Sequence, residues 1–92
     1  PNLINCEKGE YLTDRLGEEA CKFIEANKGK PFFLYLTHYA VHTPIQSKPG
    51  LKAKYQEKNP VGGHMNAAYA GMIESMDDSI GAVQATLKRL KL

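Results

Sequence analysis

The segment running from Pro31-Phe32-Phe33-Leu34-Tyr35-Leu36-Thr37 into His38-Tyr39-Ala40-Val41-His42-Thr43-Pro44-Ile45-Gln46 constrains this chain more than any other. Phe32 to Leu36 is apolar without alternation, which suits a strand covered on both faces, as in a parallel sheet packed between helices. The run then passes into a histidine-bearing loop that Pro44 stops. Ligands of open α/β sheets bind beyond the carboxyl ends of the strands, and His42 falls there. The expectation is an α/β fold with a buried strand at 31–37 and chemistry at His42.

The flanking sequence supplies helices. Thr13 or Asp14 can cap a helix over 14–27, with Asp14, Glu18 and Glu19 near its positive end and Leu16, Ala20, Phe23 and Ile24 on one face. Asn27 and Gly29 end it and Pro31 prevents its resumption. Residues 43–63 hold Pro49, Gly50, Pro60, Gly62 and Gly63 and read as a long functional loop with a helical turn around residues 51–55. Tyr69, Met72, Ile73, Met76, Ile80, Val83, Leu87 and Leu90 step by three or four, which predicts a second helix over 64–90 with this stripe in the core. Gly71 and Gly81, each worth about 1 kcal/mol against helix relative to Ala, predict close backbone approaches to the sheet. Asp77, beside the stripe, is expected to be half-buried, hydrogen-bonded to a loop and structural.

Charge and composition exclude some function classes. The net charge is +2, and the lysines at 48, 52, 54, 58, 88 and 91 are scattered, so no basic stripe marks a nucleic-acid surface. No run of about 18 apolar residues marks a membrane span. Cys6 and Cys21 match no zinc spacing and leave free thiols or a disulfide both open, free thiols being the preferred reading. His38 and His42 have the H-x-x-x-H spacing, yet in an extended chain they stand about 13 Å apart, too far for one metal unless the chain turns sharply between them. His38 and His64 read as structural or exposed.

Three blocks in order carry a family resemblance: Tyr11-Leu12-Thr13-Asp14, the run Pro31 to Gln46, and Tyr69-Ala70-Gly71-Met72-Ile73-Glu74-Ser75-Met76-Asp77-Asp78-Ser79-Ile80-Gly81. Together they resemble the middle of a formylglycine-dependent, arylsulfatase-like sulfatase of the alkaline phosphatase superfamily. The resemblance implies a sulfuric ester hydrolase with a three-layer sandwich fold, of whose catalytic domain residues 1–92 would be an internal fragment. It implies calcium and a formylglycine nucleophile in the parent protein. Neither Cys6-Glu7-Lys8-Gly9-Glu10 nor Cys21-Lys22-Phe23-Ile24-Glu25 matches the C-x-P-S-R or C-x-A-x-R motif, and no metal ligand is assigned in this chain, so the fragment alone is expected to be inactive.

By the same resemblance, His42 matches a histidine that contacts the sulfate group, a role that suits a side chain able to gain or lose a proton near neutral pH. Gln46 and Lys48, in the loop after it, are expected to border the substrate. The implied partners are a sulfated small molecule or glycan and the rest of the parent chain; the implied compartments are secreted, periplasmic or lysosomal. Two other readings stand beside this one. The first is a phosphodiesterase or phosphonate hydrolase relative of the same superfamily. The second is a non-catalytic module that associates with itself through exposed strand edges.

Overall fold

Three helices form, two of them where the sequence periodicity predicts, and the segment that carries His42 lies along them. Residues 5–92 are described by this computed structural model. Helix α1 spans Leu12–Asn27, α2 Pro49–Gln56 and α3 Ala67–Arg89. Residues 1–12 read as irregular in the sequence; residues 5–11 are irregular, Leu12 belongs to α1, and residues 1–4 lie outside those described.

Helix α1 begins two residues earlier than the pattern predicts. Tyr11, with φ −108° and ψ 123°, takes the cap position without a side-chain hydrogen bond, and Asp14 sits inside the first turn, where its charge complements the helix dipole. Helix α3 begins three residues later than predicted, because the Asn66 side chain caps it by accepting a hydrogen bond from Tyr69 N at 3.0 Å. Lys88 and Arg89 occupy its last turn, and Arg89 pairs there with Glu25 of α1. The α3 helix packs against both α1 and α2.

The face of α3 that enters the core differs from the expected stripe. Gly71, Met72, Ser75, Ser79 and Thr86 are buried, whereas Ile73 and Ile80 are 44% and 43% exposed. Small side chains win this face because they let helices approach closely. A methyl group on Gly17 of α1 would overlap Ser79 Oγ and come within 3.1 Å of Ser79 Cβ. One on Gly71 would lie 3.0 Å from Ser47 Oγ and 3.1 Å from Leu51 Cβ. Gly71 thus makes the predicted close approach, though to residues of the preceding segment and α2. Gly81 meets nothing within 4 Å among the described residues, so the predicted close approach there is not seen among them. Asp77 is exposed and makes no side-chain hydrogen bond among the described residues, which removes the half-buried role expected of it.

Residues 43–63 are not one long loop. Pro49 stands in the first turn of α2, where its fixed φ favours a helix and its missing N–H forfeits nothing, and Leu51 gains a packing partner at Gly71. The chain reverses once more through Gly62 and Gly63, whose φ of +61° and +82° suit glycine, with an antiparallel bridge between Val61 and His64.

The largest departure from expectation is at 31–37, where no strand forms among the described residues. From Pro31 to Ala40, exposed and partly covered residues alternate strictly, which is the period of an extended chain. Phe32, Leu34, Leu36 and His38 turn toward the helices, and Phe32 meets Phe23 edge to face with ring centroids 5.7 Å apart. Phe33, Tyr35 and Tyr39 are 86%, 79% and 75% exposed. A strand is defined by its ladder, and no described residue pairs with this segment. Burial on both faces would need cover on the second side, and the helices supply only one.

Among the described residues, Ala20, Ile24 and Met72 are the buried apolar side chains. The radius of gyration is 15.3 Å, against about 12 Å for a compact domain of this length. The arrangement is therefore a thin helical layer with an extended segment laid along it.

Candidate functional site

After Tyr39 the chain turns back on itself: His42 N donates to Tyr39 O at 2.8 Å, which aims the His42 side chain out of the turn. A cleft of about 380 Å³ opens beside it, lined by Tyr11, Thr13, Tyr39, His42, Gln46 and Met72 among others. That volume lies within the range of small-molecule sites. The exposed loop thus faces a wall made by the start of α1 and one residue of α3.

The ring orientation of His42 follows from its neighbour. His42 Nδ1 lies 2.8 Å from the Thr43 carbonyl oxygen, which can only accept, so Nδ1 carries a proton and donates it. Nε2 is left for a ligand. With the ring neutral, Nε2 accepts a hydrogen bond; with the ring protonated, it donates one to an anionic oxygen.

The other site residues divide. Gln46 lines the same cleft as His42, and its backbone carbonyl accepts a hydrogen bond from Tyr11 Oη at 2.9 Å. Lys48 borders a neighbouring hollow with Asp14, Gly17 and Ser79, and its ammonium donates to both Asp14 carboxylate oxygens at 3.0 and 2.9 Å. The ammonium also stands 5.7 Å from the centre of the Tyr11 ring. The structure therefore brings His42 and Gln46 together and commits the Lys48 charge to holding the loop on α1.

Charge at the cleft wall is balanced by a short ion network. Arg15 donates to Glu10, which lines the cleft, and to Glu19. The hydrogen bond from Arg15 holds the Glu10 carboxyl below the usual carboxylate range and pushes the Arg15 guanidinium up. Lys22, and after it Arg15, lower the Glu19 carboxyl in the same way. Pairing in this way offsets a carboxylate that would otherwise repel an anionic ligand.

The chain does turn sharply between His38 and His42, yet the two rings go separate ways. His38 Nε2 lies 2.9 Å from Ser79 Oγ, and His64 is exposed. No three His, Cys, Asp or Glu side chains converge as metal donors would among the described residues. Cys6 and Cys21 are free thiols. No described helix is long and apolar enough to cross a membrane.

Comparison with known proteins bears on what this cleft does. The family model described as Sulfatase matches residues 2–92. A protein of Formosa agariphila named sulfatase is 34% identical over 82 residues, spanning 86% of this chain and 15% of that protein. Mouse steryl-sulfatase is 36% identical over 81 residues, 88% of this chain and 12% of its own length. Rat N-acetylgalactosamine-6-sulfatase is 31% identical over 90 residues, 95% of this chain and 16% of its own length. The crystal structure of Ps i-CgsB superposes with a TM-score of 0.79 at 33% identity, covering 98% of this chain and 20% of that one. The chain thus spans roughly a seventh of the curated relatives it matches.

Proposed function

The chain belongs to the sulfatase family, and we propose that it forms part of a sulfuric ester hydrolase in which His42 contacts the sulfate group of the substrate. The match over residues 2–92 carries this reading, and the His42 cleft is consistent with it. In the whole protein the chain would form part of an alkaline-phosphatase-like three-layer sandwich, a reading that the likeness to the Ps i-CgsB fold supports.

The role of His42 follows from its geometry. With Nδ1 held by the Thr43 carbonyl, a protonated ring presents Nε2–H to a sulfate oxygen and stabilises the charge that builds there as the ester bond breaks. Gln46, on the same wall, adds a neutral donor and acceptor toward the ester group, while Lys48 shapes the wall through Asp14. Formylglycine and calcium, the groups the family reading implies, would supply nucleophile and charge neutralisation; the described residues contain no donor cluster for the metal. The substrates would be sulfated small molecules or glycans, and the compartment secreted, periplasmic or lysosomal.

The test is hydrolysis of 4-nitrophenyl sulfate by the full-length protein, with and without a calcium chelator, beside 4-nitrophenyl phosphate and phosphonate esters. Turnover of the sulfate that the chelator abolishes supports the proposal. Turnover of the phosphorus esters alone moves the protein to the phosphoryl-transfer relatives and overturns it.

A further inference from the structure

The excursion from His38 to Lys48, with His42 at its centre, is tied down at both ends to the same place on the helical layer. Residues 31–38 make no backbone hydrogen bond to any helix among the described residues, and their one side-chain hydrogen bond is His38 Nε2 to Ser79 Oγ at 2.9 Å. Ser79 is 5% exposed and occupies the notch that Gly17 leaves in α1. At the far end Lys48 reaches Asp14, three residues before Gly17 and so on the same side of α1. Lys48, Asp14, Gly17 and Ser79 border one hollow.

We propose that His38 is a positioning residue for His42: its hydrogen bond to Ser79 fixes the start of the turn that sets where the His42 ring stands. The path between them is short. His38 precedes Tyr39, whose carbonyl accepts from His42 N at 2.8 Å, so His38 and the turn that orients His42 are contiguous. Serine oxygen donates or accepts, so the bond forms with either tautomer of His38. Without it, the segment is held on this side by apolar contacts such as Phe23 with Phe32, which resist separation from the helices but fix the position along them poorly. The effect on turnover rests on the sulfatase reading; the effect on His42 itself does not.

The experiment uses the full-length protein labelled with 15N-histidine, the His42 ring signals being identified by their loss in His42→Ala. His38→Ala is expected to displace the His42 Nδ1 signal and to lower kcat on 4-nitrophenyl sulfate about 10- to 100-fold, the scale of a small misplacement of a reacting group, with KM changed less than about twofold. His38→Gln, which can place an amide nitrogen where Nε2 stood, restores both. Ser79→Ala removes the same bond with the loss of one atom and gives the His38→Ala result, should His38→Ala itself fail to fold. A displaced His42 signal in a protein that hydrolyses no sulfate ester upholds the positioning and removes the sulfatase reading. An unmoved signal with unchanged kcat in His38→Ala or Ser79→Ala overturns the positioning, whatever the protein hydrolyses.

Discussion

The α1–α3 pair and the segment from Pro31 to Lys48 are ordered by opposite means. Each helix satisfies its own backbone, and the two meet through small residues, Gly17 against Ser79, with Ile24 and Met72 buried alongside. The segment has no ladder among the described residues and is held by side chains reaching outward: His38 to Ser79, Tyr11 to the Gln46 carbonyl, Lys48 to Asp14. The helices supply stability and the segment borrows it. The borrowing part is the one that carries His42, as expected where functional residues sit on irregular chain positioned by a rigid scaffold.

If that division holds, the largest effect should come from His42→Ala in the full-length protein: kcat on an aryl sulfate falls about 10²- to 10³-fold, while the unfolding midpoint stays put, because the ring is exposed. A large loss of stability would break the comparison. Ile24→Ala is the mirror experiment. Ile24 is 1% exposed, so the change should destabilise by about 2–4 kcal/mol in urea unfolding and leave the rate per folded molecule unaltered.

Gly17→Ala tests the point where the two regions meet. The added methyl must push Ser79 away, at about 1–3 kcal/mol of overpacking, and Ser79 is the anchor of His38. Stability and kcat should therefore fall together, read by unfolding and initial rates on the same preparation.

The smallest effect belongs to the rim. The hydrogen bonds from Lys54 first and Tyr55 second hold the Glu74 carboxyl below its usual range, while Glu74 raises both Lys54 and Tyr55. A carboxyl depressed on folding contributes stability above its unfolded value and loses it as pH falls through the folded one. The raised Lys54 contributes below its unfolded value and loses it as pH rises through the folded one. Glu74→Gln should flatten the acid side of a stability-versus-pH curve slightly and leave the aryl sulfate rate alone.

The same division explains what could be read from the residues. Helices α1 and α3 were legible because their periodicity is internal to each segment, although the buried face of α3 shifted from Ile73 and Ile80 to Ser75 and Ser79 once α1 came close. Helix α2 was read only as a turn around residues 51–55, because Pro49 and Gly50 signal a loop unless Pro49 is recognised as a helix start. The strand expected at 31–37 does not form among the described residues, because a ladder needs a partner that none of them supplies. His42 was marked by its place after the apolar run as well as by the family resemblance, Gln46 by the resemblance alone, and both line one cleft. The His38–Ser79 bond joins residues 41 apart, and no local pattern announces it. Gly17 was a readable signal, an interior helix glycine of the same kind as Gly71, and it marks a close contact between α1 and Ser79 of α3.

The bond from His42 Nδ1 to the Thr43 carbonyl settles more than the tautomer. An amide oxygen is too weak a base to take the proton offered to it, so the ring cannot pass charge through itself from one nitrogen to the other, as a relay backed by a carboxylate could. In the proposed role, a proton gained at Nε2 would return by Nε2, on the side that faces the cleft.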